Sequence, residues 1–199
     1  MYKKINKLQI SLYTKKMAKK RVKKQRQIRQ KSVAKRGFWN YLKSESNIKK
    51  INWIVFIISL IVVSLVAYIG SLFTVIGPWY ESIKPTIAPP NWVFPIVWTV
   101  LFYLIAVSLY YSWTETDKKH KKKVVVYYGI NFILNILWSY LFFKMQNTRF
   151  AMFEILILWV SILFLIAFNF RHSRKAAYFL IPYLLWVTFA IILNYFAIK

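Results

Sequence analysis

The sequence predicts an all-α membrane protein, a five-transmembrane-helix bundle behind a basic, largely disordered N-terminal tail. Three observations carry this. Of the 199 residues, 58% are hydrophobic and 20% aromatic, with nine Trp, which is more than a soluble domain of this size usually holds. Five apolar runs fall at about 53–76, 93–113, 124–143, 150–170 and 176–198, each near the ~20 residues that a helix needs to cross ~30 Å of hydrocarbon. The charge is also lopsided: residues 1–52 hold 18 Lys and Arg against one acid, Glu45, while the other 147 residues hold 12 bases and four acids. The chain therefore divides into a polybasic tail, 1–52, and an apolar body, 53–199.

In the tail, Ile5, Leu8 and Leu12 share one helical face, but the pattern fades beyond them. Lys-, Arg- and Gln-rich composition of this kind cannot bury a core and reads as a solvated cytoplasmic extension. Anionic lipid headgroups are a natural partner, since each surface Lys or Arg is worth roughly 1 kcal/mol against them. Contact with nucleic acid would rest on charge alone and is the least supported partner. No apolar core marks the tail as a signal peptide, and it is too Ser-poor for a mitochondrial presequence.

None of the five runs alternates with the period of a barrel strand, and the short joins imply antiparallel neighbours. Trp53, Trp79 and Trp113 fall near the expected interfaces, where an indole anchors. With the tail inside, the cytoplasmic segments 1–52, 114–123 and 171–175 hold 26 basic residues; the outer segments keep four, Lys84, Lys144, Arg149 and Lys199. The bias places the N-terminus in the cytoplasm and the C-terminus outside. The expected location is an integral membrane, the cell membrane in a bacterium.

On the outer side lies the most distinctive stretch, Trp79 to Pro85 followed by Pro89 to Trp98. It is too dense in Pro for a helix interior, so it reads as a short stiff loop merging into the start of the second span. Pro85, Pro89, Pro90 and Trp92 make it a candidate lid. Below it, three helical faces can converge: Trp98 and Phe102 in the second span; Asn131, Asn135 and Trp138 in the third; Tyr183, Trp186, Ala190 and Asn194 in the fifth. An Asn stripe in a membrane helix is more often interhelical glue than a ligand site, and an aromatic stripe is more often packing. Here Trp98, Trp138 and Trp186 lie well inside their spans, where belt anchoring does not explain them. Flat aromatic walls with a few polar tips suit a large, flat, mostly apolar ligand. Glu154, the only carboxylate inside a span, is expected to reach the interface near Arg149 or to bond another helix.

The sequence excludes much chemistry. Without Cys there are no disulfides, thiolate metal sites or Cys nucleophiles. His120 and His172 fall in cytoplasmic joins, so an inner metal site is not expected and a tetrapyrrole would be held by shape and stacking. No hydrolase triad or phosphate loop appears. Leu193-x-Tyr195-x3-Lys199 fits a proposed sterol pattern that is common by chance. No G-x-x-x-G marks a dimer face.

Trp79-Tyr80, Lys84-Pro85, Pro89-Pro90-x-Trp92 and Trp98 resemble the first loop and second helix of the TspO/MBR family, the translocator proteins, tryptophan-rich sensory proteins and peripheral benzodiazepine receptors. Asn135-x2-Trp138-x3-Phe142-Phe143, Ala151-x2-Glu154 and Pro182-Tyr183-Leu184-x-Trp186-x2-Phe189-Ala190-x2-Leu193-Asn194-Tyr195 resemble its third, fourth and fifth helices. The resemblance covers the body from about residue 53; the basic tail has no counterpart. It implies a five-helix bundle, often a homodimer, that takes porphyrins (protoporphyrin IX or haem) and benzodiazepine-type compounds under the first loop, with pocket roles for Tyr80, Trp98, Asn135, Trp138, Trp186 and Ala190. No cofactor is implied beyond such a ligand. Sensing or carriage of tetrapyrroles ranks first among the implied functions. Light- and oxygen-dependent porphyrin breakdown through Trp98 and Trp186 ranks second. Transport of tetrapyrroles or sterols ranks third, because no inverted repeat or broken mid-membrane helix appears. Phe102 stands where the family usually has Tyr, and the Phe196-Ala197-Ile198-Lys199 end lacks the usual second Tyr and Trp, which weakens the sterol reading.

Overall fold

A computed structural model describes Val33 and residues 51–198; nearly all of the basic tail, and the expectations attached to it, lie outside the described residues. Within them no strand occurs, and five helices are long and apolar enough to cross a membrane. Hydrocarbon offers the backbone no partners, so a spanning segment must satisfy its own N–H and C=O groups, and a helix does so within one segment. The chain is an integral membrane protein.

Helix α1 spans Trp53–Phe73, capped by Asn52, whose Oδ1 accepts from Val55 N at 3.3 Å. It stops three residues short of the expected 76. Thr74 turns extended, its hydroxyl bonded back to Gly70 O at 3.1 Å, and Gly77 and Pro78 follow. The stretch read as a plain stiff loop instead contains a one-and-a-half-turn helix, α2, Pro78–Ile83. Proline at the first helical position is already set to helical φ and gives up an N–H that has no partner there, so Pro78 starts this helix. Pro85 then bars its continuation. Helix α3, Val93–Glu115, tolerates Pro95 because that residue sits in the first turn.

A 3-10 turn at Lys118–His120 leads into α4, Lys121–Ser139, which continues as a π-helical turn, Tyr140–Lys144. Gln146, at φ 54°, takes the left-handed conformation that breaks the run. Asn147 caps α5, Thr148–His172, by accepting from Phe150 N at 3.0 Å. Ser173 both ends α5 and caps α6, Arg174–Phe196, which carries Pro182 in its interior.

The spans pack as a closed ring, α1 to α3 to α6 to α5 to α4 and back to α1. Apolar side chains such as Ile57, Ile61, Phe153 and Phe164 are left exposed around it for lipid to cover. The end at which α1 begins is tied by a buried polar knot. Ser108 donates to Ala176 O at 2.8 Å and lies 2.6 Å from the Tyr128 hydroxyl, which also accepts from Asn169 at 3.3 Å. Nearby, Ser173 donates to Glu115 at 2.7 Å, with Lys175 3.8 Å away. The basic loops, Lys118 to Lys123 and Arg171 to Lys175, share this end.

Three expectations need correction. Glu154 is buried at 5% exposure, and among the described residues its carboxylate oxygens have no hydrogen-bond partner; its neighbours along the same face of α5, Ala151 and Leu158, are apolar and offer no bond. Trp79 is no mere anchor, since it packs edge-on against Phe142 at 5.8 Å in a second, smaller core. Trp113 packs on the main core, with the Lys121 ammonium 4.7 Å from its ring centre. Only Trp53, 62% exposed at the start of α1, keeps the simple anchor's position.

Removing the Ser108 hydroxyl strands the Ala176 carbonyl and one Tyr128 bond. Ser108→Ala is expected to cost about 1–2 kcal/mol and to lower the melting temperature in detergent. Thr99→Ala, whose hydroxyl only returns to Pro95 O of its own helix, should leave it nearly unchanged.

Candidate functional site

At the end opposite the basic loops the ring encloses a cavity of about 300 Å³, at the lower end of the range of small-molecule pockets. Its cover comes from α2 and the turns after it: Tyr80, Ile83, Lys84, Pro85, Ala88 and Asn91 all line it. The cover is stapled by its own side chains. Asn91 donates to Glu81 at 2.7 Å and accepts from the Lys84 ammonium at 2.5 Å. Burial pushes the Tyr80 phenol above its ordinary range, with the Glu81 carboxylate adding to the effect, so it remains a neutral hydrogen-bond group through the physiological range. Its ring leans on Phe143 at 5.8 Å.

The walls come from four of the five spans. Helix α3 supplies Phe94, Trp98 and Phe102, with the last two rings 5.3 Å apart. Helix α4 and its π turn supply Asn135, Trp138, Ser139, Phe142 and Phe143. Helix α6 supplies Trp186, Phe189, Ala190, Leu193 and Asn194. From α1 and its C-cap come small residues, Ala67, Gly70, Ser71 and Thr74.

Polar groups sort the walls into fixed and free parts. Trp138 donates its indole N–H to Asn194 Oδ1 at 3.2 Å, and Asn194 donates to Thr148 O at 2.8 Å, so α4, α6 and the start of α5 are joined behind the wall. Asn135 donates to the Tyr183 hydroxyl at 3.1 Å. Trp98 and Trp186 also line the cavity, but among the described residues their indole N–H groups make no hydrogen bond.

Of the residues singled out by spacing, Trp98, Phe102, Asn135, Trp138, Trp186, Ala190 and Asn194 therefore meet around one space, joined by Tyr80, which the resemblance implied, with Pro85 above them. Others do not line it. Asn131, 1% exposed, instead donates to Ser161 across the α4–α5 contact at 2.9 Å. Tyr183, fully buried, sits behind Trp98 at 6.3 Å and serves Asn135. Both lie on the right face but about 5–6 Å too deep, one turn beyond Asn135 and Trp186. Pro89, Pro90 and Trp92 do not line the cavity; Pro90 anchors a turn to Val93 N at 3.0 Å, and Trp92 is 66% exposed. The sterol-like pattern splits: Leu193 faces the cavity, Tyr195 is 63% exposed, and Lys199 lies outside the described residues.

Sequence reasoning missed the α1 contribution and Lys84. The α1 signal was available as small residues at 67, 70, 71 and 74, spaced to share one helical face. His120 and His172 meet ring to ring at 4.9 Å, but in the joins at the end where α1 begins. Among the described residues no group of three or more His, Cys, Asp or Glu gathers.

A five-span bundle with a stapled cover over an aromatic cavity defines a class: polytopic helical membrane proteins with an intrabundle chamber. The comparisons narrow it. The family model described as "TspO/MBR family" matches residues 56–199. The chain is similar to the "Tryptophan-rich protein TspO" of Archaeoglobus fulgidus, 36% identical over 69% of this chain and 90% of that protein. It is also similar to the "Tryptophan-rich sensory protein" of Cereibacter sphaeroides, 27% identical over 74% and 92% respectively, and to the human "Translocator protein", 32% identical over 66% and 81%. The chain belongs to the TspO/MBR family.

Proposed function

We propose that this protein binds a porphyrin-type tetrapyrrole in the aromatic cavity and acts as a membrane sensor or carrier for it. The observation that carries the reading is the convergence of Trp98, Trp138, Trp186 and the Phe142–Phe143 pair on one space under a stapled cover. Stacked indole and phenyl faces gain most from a flat, polarisable, apolar body, and two unbonded indole N–H groups offer it orientation. The printed name of the Cereibacter relative, a sensory protein, agrees with a receptor role.

Saturable quenching of Trp fluorescence is expected when protoporphyrin IX is added. Ala190→Phe, which places a ring in the cavity, should weaken the apparent affinity at least tenfold. Leu185→Phe, on the lipid face at 64% exposure, should leave it unchanged. Quenching by Ala190→Phe at wild-type affinity would put the ligand elsewhere.

A second reading is favoured by one observation: Trp98 and Trp186 line the same cavity from different helices. Two indoles against one bound porphyrin could pass electrons during light-driven oxidation by dioxygen. Under illumination a new absorbing product should form with the wild type and vanish in both Trp98→Phe and Trp186→Phe. Equal decay of porphyrin in detergent alone would refute it.

The cavity end carries few bases and the other end many, which supports an orientation with the basic loops in the cytoplasm and the cavity facing out. The chain has no Cys, so single-cysteine labelling can read this. Lys119→Cys should react with an impermeant maleimide only after the membrane is opened, and Ile87→Cys, 51% exposed, should react in intact cells. The reverse pattern would invert the topology.

A further inference from the structure

Among the side chains lining the cavity, Lys84 is the only charged one. It stands directly after α2, in the cover and outside the spanning segments. Within the described residues it forms no ion pair, and its ammonium is met by a neutral acceptor, Asn91 Oδ1. Asn91 is in turn held from behind by Glu81, which accepts from its amide at 2.7 Å. The acid of this triad therefore bonds Asn91 and not the Lys84 ammonium, which stands in the cover of a mostly aromatic and apolar chamber.

That arrangement has a chemical consequence. A cation held by a neutral carbonyl can exchange it for a carboxylate, and the charge-assisted bond is about twice as strong as the neutral one. The exchange need not tear the cover open, because Asn91 remains tied to Glu81. The position also sets a direction. An acid must keep its charged edge near water, whereas its flat body gains from the indole walls below. A cation in the cover lets one ligand do both.

We propose that Lys84 is a specificity residue that captures the carboxylate edge of the ligand, so that the cavity selects flat apolar acids over their neutral counterparts and holds them acid-side toward the cover. This rests on the tetrapyrrole reading above and adds to it a named contact and a chemical preference.

The test compares protoporphyrin IX with its dimethyl ester, on the full chain in detergent, against wild type, Lys84→Met, Lys84→Arg and Asn91→Ala. Wild type should bind the diacid about tenfold more tightly than the diester. Lys84→Met should lose that factor for the diacid and keep its diester affinity within about twofold, while Lys84→Arg restores the preference. Asn91→Ala removes the staple and keeps the cation, so it should retain the preference even if both affinities fall together. Equal wild-type affinity for acid and ester overturns the proposal, as does an equal loss of both ligands in Lys84→Met, which would make Lys84 a structural part of the cover. Absence of saturable binding by either porphyrin in wild type would instead refute the tetrapyrrole reading itself, and this proposal with it.

Discussion

The structure depends on a few interhelical hydrogen bonds between side chains that have nowhere else to bond. In lipid an apolar side chain gains little by leaving a hydrocarbon tail for another helix, so burial alone does not hold a bundle together. A donor or acceptor at membrane depth is different, because without a partner it is stranded. Two groups of such bonds tie four of the spans together, one at each end of the bundle, while α1 is held mainly by packing. Ser108, Tyr128, Asn169 and the Ala176 carbonyl join α3, α4, α5 and α6 near the basic loops. Trp138, Asn194 and the Thr148 carbonyl join α4, α6 and α5 at the other end. Between the ties on α4 and α6 the helices are held at a fixed spacing, and a space can persist there that side chains do not fill.

The same logic explains which Asn residues face the ligand space and which do not. An Asn with both ends engaged is part of the frame. Asn194 is such a case: it lines the cavity, but its carbonyl and its amide are both taken. Asn131 lies outside the cavity and ties α4 to Ser161 of α5. Asn135 uses its amide on Tyr183 and keeps a carbonyl oxygen that has no partner among the described residues. Three residues that look alike in sequence thus differ in what they tie and in whether they face the cavity.

Much of this was legible in the sequence, in a way that physics accounts for. Span length follows from hydrocarbon thickness, and all five span starts lie within about three residues of those read from hydropathy, with α1 and α3 at their expected starts. Helical spacing gives the direction in which a side chain points, which is why Trp98, Trp138 and Trp186 were found. Spacing does not give depth, so Asn131 and Tyr183 were grouped with a cavity that ends one turn above them. Nor does it foresee where a helix changes pitch. The π turn at Tyr140–Lys144 keeps two consecutive rings, Phe142 and Phe143, on the cavity. The α2 helix was missed because proline was weighed as a breaker, when at the first position it is a starter. Lys84 stands in the first-loop motif, but its place in the cover of the cavity is a tertiary fact that neither its charge nor its spacing gives.

The division of the wall into fixed and free parts bears on how the cavity can discriminate. Trp138 is locked by Asn194 and stacked on Phe142 at 5.1 Å and 25°, so its plane is set before any ligand arrives. Trp98 and Trp186 are held by packing alone: both lie against the main core, Trp98 beside Phe102 and Tyr183, and Trp186 beside Phe94 at 6.0 Å and Phe189 at 5.6 Å. Edge-on and tilted ring contacts have broad minima, and each is worth only about 0.5–1.5 kcal/mol. These two indoles can therefore shift to the thickness and outline of a guest at small cost, while Trp138 fixes the surface it lies against. On the proposed binding role, a rigid plate facing two adjustable ones would suit several flat ligands of differing outline. Selectivity among them then has to come from a directional polar contact, and the cover supplies the only charged one.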